Sequence, residues 1–314
     1  MRLPRPEPVA AGLVAGVVLD RMLGDPHRLH PVAGFGALAL RVERALYAPT
    51  RSRGLLAEAL LVTGPVLAGV AGSRLPPAPR TVLAAAVTWT VLGGRSLERE
   101  AAAVATAAQD GDLPAARRRV RSLVGRDPSA LEVDGLARAC VESLAENTVD
   151  AVVAPLLWGA VAGLPGLLGH RAVNTLDAMV GHHSARYERY GWAAARLDDL
   201  AAWAPARVTV ALTALETQLR TGAGREVLRA ARRDGRAHPS PNAGPVEAAW
   251  ATSLGLRLGG TNTYGDVVED RGVLGDGPAP TPRDVQRAAA LLRRVTWGAL
   301  AVGVGLRVAV RPPR

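Results

Sequence analysis

Residues Val124–Pro155 read VGRDPSALEVDGLARACVESLAENTVDAVVAP, and their pattern sets the class of the chain. From Gly135 onward the spacing predicts a helix, with Leu136, Cys140, Val141, Leu144 and Val149 on one face. Arg138, Glu142, Glu146 and Asp150 recur every four residues and line another. The helix then runs straight into the apolar segment Ala151–Gly169. Carboxylates entering apolar surroundings are costly unless they are paired or have a task. Three of them on one stripe suit magnesium held through oxygen ligands. The same spacing also fits a solvated face closed by an Arg138–Glu142 ion pair.

Further apolar runs lie on either side, at Val9–Leu19, Leu55–Gly72, Thr81–Gly94, Leu200–Leu215 and Val295–Val310. With strand patterns scarce, they predict an all-α, polytopic integral membrane protein whose polar helices and loops form the active site. Leu55–Gly72 and Thr81–Gly94, separated by the proline-rich Ser73–Arg80, predict a helical hairpin. The polar regions 95–150 and 220–294 are read as parts of one membrane-embedded domain, 1–314. Within the first, Ser96–Gln109 and Pro114–Val124 predict consecutive helices, with Asp112 as N-cap of the second.

Composition narrows the chemistry. The chain is 48% hydrophobic but 4% aromatic, a mixture suited to closely packed helices. Its formal net charge is +10, and every basic side chain besides histidine is arginine. Without lysine, neither a Walker-type phosphate loop nor Schiff-base chemistry is available. No helix-turn-helix, zinc finger or aromatic RNA motif accompanies the charge, so nucleic acid is not an expected partner. Cys140 is the single cysteine, which excludes an internal disulfide and a multi-cysteine metal site. The N-terminal apolar run ends at Asp20 and Arg21 without a signal-cleavage pattern. The positive-inside rule assigns residues 25–53 and both polar regions to the cytoplasm.

Two more clusters carry chemistry. In NTLDAMVG, Asn174 and Asp177 share a helical face, and Arg196, Asp198 and Asp199 follow at the mouth of another apolar run. In RRDGRAHPSPNAGPVE, Arg232, Arg233 and Arg236 match phosphate oxygens bidentately. His238, Ser240 and Asn242 sit on a loop stiffened by prolines, and Glu247 closes the stretch. Gly259, Gly260, Asn262, Tyr264 and Gly265 belong to a structured loop at Leu258–Gly265 that offers further polar contacts.

At these residues the chain resembles the adenosylcobinamide-phosphate synthases, the CobD/CbiB family of cobalamin biosynthesis. The resemblance runs through LDRMLGDPHRLHPVAGFG (Leu19–Gly36), VGRD (Val124–Asp127), ESLAENTVDAVVAPLLW (Glu142–Trp158) and NTLDAMVG (Asn174–Gly181). It continues through RYGWAAARLDDLAAWAPAR, RDGRAHPSPNAGPVEAAWA and LGGTNTYGD, in the family's order. It implies a multi-pass enzyme of the cytoplasmic membrane, its active site facing the cytoplasm. That enzyme joins adenosylcobyric acid to (R)-1-amino-2-propanol O-phosphate as an amide, driven by ATP and magnesium.

On that basis Glu142, Glu146 and Asp150 are the expected metal ligands, with Asp198 or Asp199 beside them. Glu146, Asp150, Asp198 and Asp199 are the expected catalytic residues. Arg126, Asp127, Arg138, Asn147, Asn174, Asp177, Arg196, Arg232, His238, Ser240, Asn242 and Glu247 are expected to bind substrates. Expected partners are the lipid membrane and these small molecules, with other corrinoid-assembly enzymes or a second copy as further associations. The competing reading is a membrane corrinoid-binding or transport component without ligase chemistry, which needs a pocket but not the full acidic stripe.

Topology raises one conflict. A full crossing at Ala151–Gly169 would strand Asn174–Asp199 outside, away from ATP. Pro155, Pro165 and several glycines instead predict a re-entrant or protein-buried hairpin built from Ala151–Gly169 and Leu200–Leu215. Labelling, from outside only, of a cysteine placed near His183 would contradict it.

Overall fold

The computed structural model describes residues 7–26, 30–182, 184–264 and 267–309. Within them the order is α1 (Pro8–Leu23), α2 (Pro31–Leu46), α3 (Arg51–Ser73), α4 (Pro77–Val91), α5 (Gly94–Gln109), α6 (Leu113–Val120) and α7 (Val133–Thr148). There follow α8 (Ala154–Ala162), α9 (Leu164–Leu176), α10 (Trp192–Thr221), α11 (Gly224–Arg233), α12 (Ala243–Leu254), β1 (Leu258–Tyr264), β2 (Val267–Leu274) and α13 (Pro282–Ala309). The fold is helical as expected, with one addition. The loop expected at Leu258–Gly265 is a strand, paired antiparallel with β2, and Gly265 itself lies outside the described residues.

The chain divides into two compact units. The first takes in the chain up to Gly93, then Asp150–Ala202, then the residues from Leu300. The second is Gly94–Val149 with Trp203–Ala299.

In the first unit α1 packs along α4 and α3 along α9. The hairpin expected between α3 and α4 is therefore sequential but not the main packing. Glycine explains the preference: a Cβ on Gly12 or Gly16 would overlap Ala84 or Thr88 of α4. This four-residue glycine spacing brings two backbones into direct contact. Ala151–Gly169 is not one span either. Gly163, at φ 68°, reverses the chain between α8 and α9, and the two helices pack on each other. This turn lies within Ala151–Gly169, whereas the expected hairpin paired that segment with Leu200–Leu215. Leu200–Leu215 lies inside the continuous 30-residue α10.

Two prolines inside these helices have identifiable consequences. Pro155 cannot donate to the carbonyl of Ala151, four residues earlier. That carbonyl accepts the Gly93 N–H instead, at 3.2 Å, and the backbone widens into a π-turn over Val149–Val153. Pro205 likewise frees the Ala201 carbonyl, which accepts the Trp158 indole N–H at 3.0 Å.

In the second unit α7 sits at the centre and packs against α5, α6, α12 and β1. Leu136, Leu144 and Trp250 are fully buried there. The expected N-cap is in place, Asp112 Oδ1 accepting the Ala115 N–H at 2.9 Å, although α6 ends at Val120, short of the expected Val124.

Among the described residues, two helices are long and apolar enough to cross a membrane, Arg51–Ser73 and Pro282–Ala309. Leu55, Leu56, Leu60 and Leu67 of α3 are exposed. His183, the expected labelling position, lies outside the described residues.

Candidate active site

The expected stripe on α7 does not continue to Asp150. The π-turn at Val149–Val153 breaks the four-residue repeat, and Asp150 falls in the first unit, within electrostatic reach of Arg171. Glu142 and Glu146 lie on α7, and Asp150 lies beyond it in the widened turn. Among the described residues no group of three or more His, Cys, Asp or Glu side chains is arranged to hold a metal ion.

What the second unit does assemble is a buried network of carboxylates and cations. Glu142 pairs with Arg126 at 2.8 Å and accepts the Gly259 N–H at 2.9 Å. Gly259 can aim its N–H there because it sits at φ 77°, which side chains disfavour. Arg126 and Arg138 both donate to Asn262 Oδ1, and Arg138 also donates to the Gly259 carbonyl. Glu247, on α12, is fully buried. His238 Nε2 and Arg271 Nη1 approach its Oε1 at 3.7 and 3.8 Å, and neither carboxylate oxygen accepts a hydrogen bond among the described residues. Arg126 Nε and Nη2, Asn262 Nδ2 and His238 Nε2 are also buried without a hydrogen bond there.

Burial raises Glu247 well above the usual carboxylate range, with Glu142 and Glu146 adding repulsion and Arg271 opposing it. Half-buried Glu146 is raised for the same leading reason, loss of water around the carboxyl group. Burial lowers His238 to about 4, helped by Arg271. Its Nδ1 accepts the Ser240 N–H at 3.0 Å, so the neutral ring carries its proton on Nε2, facing Glu247.

Beside this network lies a cleft of about 650 Å³ lined by Arg207, Arg232, Arg236, His238 and apolar residues of α10 and α11. Arg207 fixes the proline loop, donating to Asn242 Oδ1 at 2.6 Å and to the Pro241 carbonyl at 3.1 Å. Ser240 Oγ accepts the Asn242 and Ala243 N–H groups and so starts α12.

Other expected residues have local partners. Asp127 accepts the N–H and hydroxyl of Ser129 in an exposed turn, and Asn147 donates to Ser143 on its own helix. Arg196 and Asp199 form an ion pair at 3.9 Å on α10. In the first unit Arg171 donates to Asn174, which donates to Asp198, each at 3.4 Å. Glu58 lies within electrostatic reach of Asp177 and Asp198, and Asp25 within reach of Arg171.

The sequence reading missed Glu58, Arg171, Glu269 and Arg271. Glu58 had a signal, as the only acidic side chain within the apolar runs. Glu269 and Arg271 had a weaker one, the two-residue spacing that puts side chains on one face of a strand. Arg171 had none.

The chain is similar in sequence to known proteins. The family described as CobD/Cbib protein matches residues 13–292. Cobalamin biosynthesis protein CobD of Mycobacterium tuberculosis is 47% identical over 304 residues, 96% of this chain and 97% of that protein. The protein of the same name from Rhodobacter capsulatus is 44% identical over 300 residues, 92% of this chain and 94% of its own length. That of Chromobacterium violaceum is 44% identical over 294 residues, covering 91% and 92%. No solved structure matches the chain. A match over nearly the whole length at such identity makes the chain a member of the CobD/CbiB family of cobalamin biosynthesis proteins.

Proposed function

We propose that the chain is an ATP-dependent amide-forming ligase of the cytoplasmic membrane, joining adenosylcobyric acid to (R)-1-amino-2-propanol O-phosphate. The observation that carries this reading is the buried network around Glu247, with polar atoms left unsatisfied beside an arginine-lined cleft. Buried polar groups are ordinarily paired, so a concentration of unpaired ones marks a place where a polar ligand completes the set.

The chemistry makes matching demands. A propionate is a poor acyl donor, so its oxygen first takes the γ-phosphoryl group of ATP, giving an acyl phosphate and ADP. The amine nitrogen then attacks the carbonyl, the C–N bond forms, the C–O bond to phosphate breaks and inorganic phosphate leaves. One amine proton must go to a base within reach. Glu247, held at a raised proton affinity in a dry site, is the group suited to take it. Magnesium is expected to arrive on the phosphates of ATP and to keep water ligands, which is its usual habit.

The exposed leucines of α3 and the apolar length of α13 support a membrane setting. The test is an assay by mass spectrometry of the detergent-purified chain with adenosylcobyric acid, aminopropanol phosphate, ATP and magnesium. The expected result is adenosylcobinamide phosphate, absent when any component is omitted. Corrinoid binding without product would transfer the reading to a binding or transport component.

A further inference from the structure

We infer that the cleft between α10, α11 and the proline loop is a phosphomonoester subsite, in which Arg232 and Arg236 bind the phosphate of the amino-alcohol substrate rather than ATP. The inference rests on the ligase reading and assigns one substrate to one place.

Three guanidinium groups line the cleft, and no carboxylate does. Several other arginines of this unit are committed, among them Arg233 to Asp234 and Asp276, Arg293 to Glu98, and Arg126 to Glu142. Arg207 is held by the loop it positions. Arg232 and Arg236 have no ion pair or hydrogen bond among the described residues, and both face a cavity of about 650 Å³. Two uncommitted guanidiniums on a concave wall suit a phosphate dianion.

The rest of the wall decides which phosphate. Polyphosphates are cradled by rows of backbone N–H groups in glycine-rich loops. Here the loop contributes Pro239 and Pro241 and the first turn of α12 contributes Pro245, none with an N–H, and the remaining wall is Val210, Ala211, Leu228, Ala231 and Gly235. That surface suits one phosphate on a short aliphatic stem. His238 forms part of the wall and faces Glu247 on its other side, so an amine carried on the stem would reach towards the buried carboxyl group.

The experiment uses the full chain in maltoside micelles free of phospholipid, which removes lipid phosphate as a ligand. Binding of aminopropanol phosphate and of dephosphorylated aminopropanol is measured by calorimetry without ATP. The variants are Arg232→Gln, Arg236→Gln and, as a control on the same helix, Arg229→Gln, whose residue pairs with Glu226. Each cleft variant should weaken the phosphate ester by about 10- to 100-fold, the loss expected for a charge-assisted hydrogen bond, and leave aminopropanol and the control unchanged. In turnover, KM for the amine phosphate should rise by a similar factor, with KM for ATP and for the corrinoid held within about twofold. Unchanged ester affinity, or a KM shift that falls on ATP, overturns the inference while leaving the ligase reading intact. If the wild-type chain makes no product, the ligase reading fails and the calorimetry alone decides the cleft.

Discussion

Glu247 lies fully buried, 3.7 Å from His238 and 3.8 Å from Arg271, with no hydrogen bond to either carboxylate oxygen among the described residues. A buried carboxyl group in that condition opposes folding when ionised. Its folded-state pKa is raised, so its contribution to stability is present below about pH 4.5 and is lost as pH rises towards the raised value. Glu247→Gln should therefore abolish turnover, by about a hundredfold or more if it is the base, while thermal stability at pH 8 holds or increases. Parallel assays of product and of melting temperature check both halves.

His238 carries the opposite sign. Its folded pKa is lowered to about 4, so the unfolded chain takes up a proton first as pH falls. The stability it contributes is complete above about pH 6.5 and is lost between there and pH 4. His238→Asn, which keeps an acceptor for the Ser240 N–H, should flatten the stability profile in that window. Cys140 is the silent residue of this neighbourhood. Burial pushes its thiol up to about 12, so a maleimide should fail to label the folded chain at pH 7 and label it once denatured.

At the scale of elements, close approach is the recurrent device. Gly12 and Gly16 let α1 lie against α4, and a Cβ at either position overlaps Ala84 or Thr88. Gly12→Val should cost about 1–3 kcal/mol by overpacking, read as a fall in melting temperature without any change in substrate affinity. Gly163 turns α8 into α9 at φ 68°, ψ −144°, a region close to glycine-only. Gly163→Ala should cost about 1–3 kcal/mol. The prolines work through what they leave unpaired: Trp158→Phe strands the Ala201 carbonyl that Pro205 released. The same residue logic explains the acidic stripe. Its four-residue period was legible as far as Glu146, but Pro155 widens the preceding turn and carries Asp150 into other company.

Across the whole molecule, each of the two units gathers its own set of the residues that the linear reading names. The second unit gathers Arg126, Arg138, Glu142, Glu146, Asn262, Glu247 and Arg271, and the first gathers Glu58, Asp150, Arg171, Asn174, Asp177 and Asp198. The exposed leucines of α3 predict that the chain stays dispersed only in detergent or lipid. Replacing Leu56, Leu60 and Leu67 by serine should lower the share recovered with membranes after carbonate washing. Equal recovery would remove α3 as a membrane contact.

The sequence by itself determined the helical class, the positions of most helices, the N-cap at Asp112 and the family, because these rest on local period, capping chemistry and long ordered motifs. It also located the arginines and the proline loop. Only the tertiary structure decided which carboxylates share surroundings. Arg271 stands 24 residues beyond Glu247 in the chain, yet its guanidinium lies 3.8 Å from that carboxylate. The pairing of β1 with β2 and the packing of α12 and β1 on α7 bring the two together with Glu142. Such pairing has no period of its own: it arises from the path of the backbone, set by burial, glycine contacts and the carbonyls that prolines leave free.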